Sequence, residues 1–435
     1  MLKALIQKFL SRGRKQTNVS GFTLLELLVS IIIASIVVGT LLGFLVNILE
    51  RDRNEQAKVE SQEEIQAALN FIADDMTDAV YIYDADGLYR NGAAGPNGGL
   101  NVASQLPHLQ PTAGRCKDGT TINCTPVLVF WKRFLYKPSD NYGPAESNPL
   151  FDPSLTIDCL EKSNTSTCIG GDKYVYSLVV YYLLKNTDPD WSSSSRIIRW
   201  EIQDGLVSTC PTNTFCPPLV PADDPLVDKN NYASTFLKPK PGFRKFNLSG
   251  SGSLADRMNT WRKSSVDYDF GLDSTPYREL VDYIDDTPFD PTQDDGTIDN
   301  SPQGRRININ IRANNPAFNP TPTPPVPSNP DCDDPNIGVG VGLTASQLGT
   351  TAQTVFSQRI PPDFSNATSN PNGLSSFYAC VNANNVSARV FIRGNALARL
   401  KDNISSRPVS DAVFQSFLPT ANVRVFGRGS LSVDE

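Results

Sequence analysis

The first clear pattern in the chain is an apolar run from Phe22 to Val46, 25 residues long, in which Glu26 is the only charged position. About 20 apolar residues in a helix cross the hydrocarbon core of a bilayer, so the run predicts a transmembrane helix. The 21 residues before it carry no acid and five basic side chains: Lys3, Lys8, Arg12, Arg14 and Lys15. Because basic flanks stay in the cytoplasm, we expect residues 1–21 to form a cytoplasmic leader and the body to lie outside.

The helical pattern continues beyond the apolar run. After the charged residues 50–53, apolar side chains recur every three or four positions, as on one face of a helix. These positions are Ile65, Leu69, Ile72, Met76 and Val80, and no proline occurs before Pro96. The pattern predicts one helix over 22–80, about 90 Å long at 1.5 Å per residue. Its transmembrane half is 22–46, and its second half should pack on a globular domain.

From Tyr81 onward the pattern is that of β-strands. Segments rich in Val, Ile, Tyr and Phe predict strands at 126–136, 173–184, 195–202, 305–312, 388–394 and 422–429. The polar sequence KNTDPDWSSSS joins the second segment to the third, which predicts a β-hairpin. The whole pattern predicts an α+β fold in which a long N-terminal helix packs on a large β-rich domain, residues 81–435.

Two segments of biased composition interrupt the β-rich region. Residues 282–299 hold seven aspartates and predict an acidic insertion. Clustered carboxylates suit calcium, but Pro291 and Gln293 stand where an EF-hand built on Gly296 needs ligands, so a solvated acidic loop is the favoured interpretation. Residues 316–335 hold eight prolines and predict an extended linker.

All eight cysteines follow the N-terminal helix. They are Cys116, Cys124, Cys159, Cys168, Cys210, Cys216, Cys332 and Cys380. An even number in a region placed outside the cytoplasm favours disulfides. Eight cysteines allow 105 pairings, and the short spacings favour pairing in sequential order. Because there is no C-x-x-C motif and one histidine in all, we expect no metal site and no cofactor.

The composition also argues against catalysis and against a nucleic-acid partner. A Ser-His-Asp site would depend on His108, the only histidine, which lies in the loop-like sequence SQLPHLQP. No glycine-rich phosphate loop is present. The net charge of −7 becomes −12 once the five charges of the leader are removed, and binding phosphates needs a basic patch. We therefore expect a protein that is not an enzyme and binds no nucleic acid.

Glu26 is the unusual residue of the apolar run. A carboxylate in the bilayer core costs roughly 2.5 kcal/mol or more, and such residues are usually functional. A cut after Gly21 would give Phe22 a free amine one helical turn from Glu26, on the same chain or a neighbouring one. One hypothesis is that this pair serves assembly. The alternative is that Glu26 lies shallow and reaches the membrane interface.

The sequence GFTLLELLVSIIIASIVVG resembles the processing signature of type IV pilins and type II secretion pseudopilins. The resemblance implies that a prepilin peptidase cuts between Gly21 and Phe22 and methylates Phe22, and that Glu26 docks subunits in a filament. It implies the membrane, other pilin-like subunits and the inner-membrane assembly platform as further partners. The implied location is the cytoplasmic membrane, crossed once, with the body in the periplasm or in an extracellular filament.

The body is larger than that of a usual major pilin, which favours a minor subunit. Its acidity and the C-terminal sequences VFIRGNALARL and LPTANVRVFGRG resemble cyanobacterial hormogonium polysaccharide secretion pseudopilins. That resemblance implies a pseudopilus for polysaccharide export in gliding motility. The predicted hairpin instead resembles that of J-type minor pseudopilins, which implies type II protein secretion or the start of type IV pilus assembly.

An alternative from another class is a membrane-tethered adhesin or carbohydrate-binding module. Its binding platform would consist of the four tryptophans, Trp131, Trp191, Trp200 and Trp261. Packing in the core is the favoured use of at least two of them, since large aromatic side chains are mostly buried.

We predict that the mature chain begins at Phe22. Mass spectrometry of the membrane protein should find an N-terminal peptide that starts at Phe22 and is heavier by one methyl group. Replacing Gly21 by a bulky residue should leave the leader attached, because the peptidase must recognise the small residue at the cut. A mature chain that begins at Met1, or after Val46, would contradict this prediction.

Overall fold

The computed structural model describes residues 23–89, 101–110, 116–136, 173–208, 220–221, 234–237, 239–249, 251–268, 277–287, 358–362, 364, 369–400, 416–429 and 431. The predicted strand 305–312 and the proline-rich linker 316–335 lie outside these residues. The chain divides into two compact units, residues 1–56 and 57–435.

Helix α1 runs from Leu24 to Thr77 and contains 54 residues. Among the described residues it is the one helix long and apolar enough, by length and composition, to cross a membrane. The large apolar side chains between Leu24 and Leu49 are each 45–85% exposed. A helix that meets lipid rather than protein needs such an all-round apolar surface, so the structure agrees with the predicted transmembrane helix.

Beyond residue 56, one face of α1 belongs to the core of the second unit. Ile65, Leu69, Ile72 and Met76 are almost fully buried, as their spacing predicts. Burying each such side chain contributes about 1.5–3 kcal/mol. The helix ends at Thr77, so the prediction that Val80 continues the helical face is wrong. Val80 lies in strand β1, Ala79–Ile82, whose four residues are all buried.

The main sheet has five antiparallel strands in the order β1-β4-β5-β6-β10. Strand β4 is Cys124–Tyr136, β5 is Lys173–Leu184, β6 is Ser195–Gln203 and β10 is Tyr277–Ile284. The predicted hairpin is confirmed, because β5 and β6 pair over Ser177–Leu184 and Arg196–Gln203. The strands predicted at 126–136 and 195–202 are confirmed with ends that differ by one or two residues.

Strands β4 to β6 are covered on both faces. Successive side chains of a strand point to opposite faces, and on the face away from α1 the Trp131 ring meets Phe243, Phe246 and Trp261 edge-on at 5.1–6.0 Å. These partners come from residues 239–268, which include helix α3, Leu254–Met258. Because both faces of these strands are buried, their sequences are nearly continuous apolar runs.

A second antiparallel sheet has the order β11-β12-β13-β14. Its strands are β11 (Gln358–Ile360), β12 (Phe377–Asn382), β13 (Ser387–Arg393) and β14 (Thr420–Phe426). These last two strands confirm the predictions at 388–394 and 422–429. The structure therefore has the expected α+β architecture, with one long N-terminal helix and antiparallel sheets in the globular unit.

An ion pair joins the two sheets. Asp285 follows β10, is fully buried, and accepts a hydrogen bond from the Arg393 Nε of β13 at 2.8 Å, while the Arg393 Nη2 lies 2.7 Å from the same carboxylate oxygen. A backbone bridge between Ile284 and Gly394 lies beside it. The interpretation of 282–299 as a solvated loop is therefore wrong for Asp285, because the segment begins inside a strand. Residues 288–299 lie outside the described part of the chain.

Short elements complete the described residues. They are α2 (Ala85–Tyr89), the 3-10 helices Ala103–Gln105, Pro107–Leu109 and Ala396–Arg399, the hairpin of β2 (Lys117–Asp118) with β3 (Thr121–Ile122), and a small sheet of β7 (Leu206–Ser208), β8 (Val220–Pro221) and β9 (Ser234–Leu237).

One disulfide closes the β2–β3 hairpin. It joins Cys116 to Cys124, which are consecutive cysteines of the chain with a sequence separation of 8. Cys380 is also disulfide-bonded. The other five cysteines lie outside the described residues, so their pairing stays a prediction.

The residues after β14 lie against the end of α1. The Arg428 N–H donates to the Thr77 carbonyl at 2.9 Å, and the Gly429 N–H donates to the Ala79 carbonyl at 3.1 Å. A Cβ atom on Gly429 would lie 2.4 Å from Val80 Cγ1 and 2.8 Å from the Ala79 oxygen. The sequence VFGRG thus ends the strand at Phe426 and uses glycine for a close backbone approach.

We expect Gly429→Ala to destabilise the body by about 1–3 kcal/mol, the usual cost of overpacking a filled site. The added methyl group has a backbone oxygen and β1 as neighbours, so the backbone itself must move. Chemical denaturation followed by fluorescence of the buried tryptophans measures the change. Gly43→Ala is the matched control, since a Cβ there meets nothing within 4 Å. Equal stability of the two variants would refute the packing argument.

Candidate functional site: the start of the N-terminal helix and its anchor

Most polar side chains in the apolar part of α1 are satisfied by their own helix. Four of the five donate a hydrogen bond to a backbone carbonyl three or four residues earlier, at 2.7–3.0 Å. The donors are Ser30, Ser35, Thr40 and Asn47. In hydrocarbon no water can satisfy such groups, so internal bonding is what a membrane-embedded helix requires.

Glu26 is the fifth polar side chain, and it cannot follow this pattern. An ionised carboxylate only accepts hydrogen bonds, so it has nothing to donate to a helix carbonyl. In the part of the chain that the structure describes, no hydrogen bond or ion pair reaches the Glu26 carboxylate. Among the described residues of this segment, Glu26 is thus the one polar side chain without a hydrogen bond to its own helix.

The helix start places Glu26 in the first turn of α1. The Thr23 Oγ1 accepts from the Glu26 backbone N–H at 3.3 Å, and the Thr23 carbonyl accepts from the Leu27 N–H at 3.1 Å. Thr23 is thus the N-cap residue. The free backbone N–H groups of a first turn attract negative charge, so the position suits a carboxylate. Gly21 and Phe22 lie outside the described residues, and their cleavage and methylation stay predictions.

A buried polar cluster fixes the second part of α1 to the main sheet. Asp75 of α1 accepts two hydrogen bonds from Arg199 of β6, at 2.7 and 3.1 Å. It also accepts from Lys132 of β4 at 2.8 Å and from the Tyr181 hydroxyl of β5 at 2.7 Å. Glu201 completes the cluster, 2.8 Å from Arg199 and 3.3 Å from Lys132.

The sheet register brings these groups together. Tyr181 and Arg199 are direct partners in the β5–β6 pairing. Because side chains alternate, Lys132, Tyr181 and Arg199 all point to the face that α1 covers. Asp75 lies one residue before Met76, whose side chain is fully buried in the same packed region. The carboxylate therefore reaches the sheet at the last turn of the helix.

Electrostatics keep this cluster charged. Burial alone would raise the pKa of Asp75, but the hydrogen bonds and charges of Arg199 and Lys132 outweigh it and lower the pKa below its ordinary value. Burial opposes the charge of Arg199 as well, yet its bonds to Asp75 and the charge of Glu201 raise its pKa. Burial and the charge of Asp75 raise the pKa of Tyr181, so its hydroxyl keeps the proton that it donates. The cluster is an ion pair at neutral pH.

Sequence reasoning missed this anchor. Asp75 stands in the polar stretch ADDMTD, where nothing distinguishes it from Asp74. The available signal was Arg199 inside the apolar strand SRIIRWEI, since an arginine in a doubly covered strand requires a buried acidic partner. Arg399 makes a second ionic contact with α1. It pairs with Glu60 and Glu64 and lies 4.3 Å from the Tyr283 ring.

His108 and the tryptophans do not form the sites considered from sequence. His108 lies in a 3-10 helix rather than a loop, and burial lowers its pKa to about 3. No acid partner for its Nδ1 is present among the described residues. Trp131, Trp200 and Trp261 are buried, so a platform of four exposed tryptophans is wrong for three of them. Trp191 is 37% exposed.

Residues 16–42 match the family model of the prokaryotic N-terminal methylation motif. Neither a curated protein nor a solved structure matches the chain. The motif, followed by a membrane-length helix and a β-rich body, supports a pilin-like subunit that is anchored in the membrane by one helix and processed by a prepilin peptidase. Proteins of this type are structural subunits, so the match points to assembly rather than to catalysis.

We expect Asp75→Asn to lower the free energy of unfolding by about 1.5–3 kcal/mol, because it weakens the charged hydrogen bonds of Arg199 and Lys132, which keep Glu201 as a second carboxylate partner. Urea denaturation of the full chain measures the loss. Asp74→Asn is the matched control, since its side chain is exposed and should change stability by less than about 0.5 kcal/mol.

The ion pair between Asp75 and Arg199 also predicts that the free energy of unfolding depends on pH. The pKa of Asp75 is lower in the folded chain than in the unfolded one, so its stabilising contribution is complete above about pH 4 and is lost as the pH falls through the lower folded value. The Asp75→Asn variant should lack this acid-sensitive part of the stability. If the free energy of unfolding falls equally with decreasing pH in the unchanged protein and in Asp75→Asn, the ion pair does not contribute to stability.

Proposed function

We propose that the chain is a minor pseudopilin, cut after Gly21 and built into a pseudopilus through the helix that begins at Leu24. The single observation that carries the proposal is that no hydrogen bond or ion pair reaches the Glu26 carboxylate among the described residues. Glu26 lies in the first turn of α1, inside the matched motif, and among the described polar side chains of residues 24–49 its carboxylate alone makes no hydrogen bond to its own helix.

The energetics of processing support this role. Cutting after Gly21 creates an amine on Phe22, and an unpaired charge in an apolar layer costs several kcal/mol. Glu26 is the only acid between Met1 and Glu50. Pairing of the Phe22 amine with the Glu26 carboxylate of a neighbouring subunit would satisfy both groups in the filament. The processed subunit therefore gains free energy by assembly.

Polysaccharide export is the secretion role that we propose for this pseudopilus, on the resemblance to the cyanobacterial hormogonium polysaccharide secretion pseudopilin of the C type. The first of the two sequence blocks that carry it covers the end of β13 and the 3-10 helix Ala396–Arg399, and the second contains β14. The two strands pair in register from Ser387 with Phe426 to Arg393 with Thr420. The second block ends with Gly429 against β1. The resemblance thus falls on one continuous piece of structure and not on scattered residues.

A second candidate is a J-type minor pseudopilin of type II protein secretion or a minor pilin that initiates a type IV pilus. The β5–β6 hairpin favours it, because the arginine of the second strand, Arg199, forms the anchor to α1. Deletion of the gene separates the two roles. Loss of extracellular polysaccharide with normal protein secretion supports the first, and the opposite result supports the second.

The assembly role predicts that Glu26→Gln is cut and inserted normally but fails to enter the filament. Cleavage precedes any contact between subunits, and loss of a charge can only ease insertion. An immunoblot for the shorter chain, beside fractionation of sheared filaments and an export assay, measures all three steps. Glu26→Asp should be partly active, since it keeps the charge with a shorter reach.

Ser35→Ala is the matched control for Glu26→Gln. Ser35 is also a polar residue of the apolar run, but its hydroxyl bonds the Ile31 carbonyl of its own helix at 2.7 Å. Its removal should leave assembly and export intact. Normal export by the Glu26→Gln strain would overturn the pairing role of this carboxylate.

A further inference from the structure

A cleft of about 520 Å³ lies between α1 and the edge strand β10 of the main sheet. Helix α1 contributes Ala67 and Phe71, β10 contributes Leu280 and Asp282, and the loop between β5 and β6 contributes Trp191. The proposed pseudopilin role uses none of these side chains, and only Trp191 belongs to the tryptophans of the carbohydrate-binding alternative. All of them belong to the second unit of the chain, residues 57–435.

Two aromatic side chains in the cleft are exposed although the core lies beside them. Phe71 is 47% exposed and Trp191 is 37% exposed, whereas the neighbouring Ile72 is fully buried. The guanidinium of the buried Arg196 lies 5.5 Å from the centre of the Trp191 ring and supports it from one side. The cleft thus offers a preformed apolar and aromatic surface, which is typical of a binding site.

The polar groups of the cleft give it a negative charge. The Asp282 carboxylate accepts hydrogen bonds from the Ser192 N–H at 2.9 Å, the Ser192 hydroxyl at 2.6 Å and the Tyr283 N–H at 2.8 Å. All three donors are neutral, and no lysine or arginine of the described residues pairs with Asp282. Glu64 and Glu279 also line the cleft, and none of its described lining residues is basic. Arg399, which is not a lining residue, pairs with Glu64, so Asp282 is the carboxylate of the cleft on which the charge argument depends.

We infer that this cleft binds a segment of a partner protein that presents a lysine or arginine beside an apolar side chain. The cation would meet the fixed carboxylate of Asp282, which attracts positive charge. The apolar neighbour would cover Phe71. Anionic ligands, including acidic polysaccharides, nucleic acid and anionic lipid, are repelled by the same carboxylates. The inference goes beyond the secretion role and holds for any exported cargo.

Binding of short labelled peptides to the purified full-length chain tests the inference. Fluorescence anisotropy at low salt, with the protein in neutral detergent, compares three peptides of equal length that combine leucine with lysine, serine or glutamate. The lysine peptide should bind most tightly, and added salt should weaken it. Labelled neutral and uronic-acid oligosaccharides form a separate arm, which detects a sugar site.

Variants of the cleft decide where the peptide binds. Asp282→Asn keeps the shape of the side chain and should weaken the lysine peptide about tenfold, the loss expected when a hydrogen-bonded charge is removed. Phe71→Ser should also weaken binding of the lysine peptide. Because Phe71 is half exposed, this substitution should change the folding stability little. Asp118→Asn removes one charge from an exposed position outside the cleft and should have no effect.

Three results would overturn the inference. The first is equal binding of the lysine and glutamate peptides. The second is equal loss of binding in Asp282→Asn and Asp118→Asn, which would indicate general attraction to an acidic protein. The third is binding of an oligosaccharide that depends on Phe71 while the lysine peptide fails to bind, which would make the cleft a sugar site.

Discussion

The ion pair between Asp75 and Arg199 is the interaction on which the arrangement of the body depends. It joins the last turn of α1 to the middle of the main sheet with two hydrogen bonds, and Lys132 and Tyr181 use the remaining capacity of the carboxylate. A buried pair is a weak source of net stability, but removing one partner is expensive. The pair therefore sets the register of the helix on the sheet, because any shift would leave buried charges unmatched.

The two parts of α1 follow different physical rules. Residues 24–49 expose their apolar side chains and satisfy their polar side chains internally, as lipid demands, with Glu26 as the exception. Residues 57–77 instead bury one face and fasten it with charged groups. The first part can therefore contact other helices through its whole circumference, whereas the second part is committed to the body. We consider this division the basis of the proposed function.

Periodicity was enough to predict the membrane helix, the buried face with Ile65 and Leu69, and the β5–β6 hairpin, because each depends on local patterns. Three features depend on contacts between distant residues and escaped prediction. Val80 was assigned to the helix because it matches the helical spacing, but pairing with β4 decides its state. Asp285 lies in an acidic segment and is buried only because Arg393 lies opposite. The partners of Asp75 come from three strands far along the chain.

Site-specific photocrosslinking at Leu27, one position after Glu26, tests the central claim most directly. A photoreactive amino acid at this position, in cells that make the processed chain, should join it to the N-terminal segment of another pilin-like subunit, identified by mass spectrometry. The account predicts that this product disappears when Glu26 is replaced by glutamine. Crosslinks to lipid alone, or a subunit product that persists without the Glu26 carboxylate, would contradict the claim that the start of α1 is an assembly site.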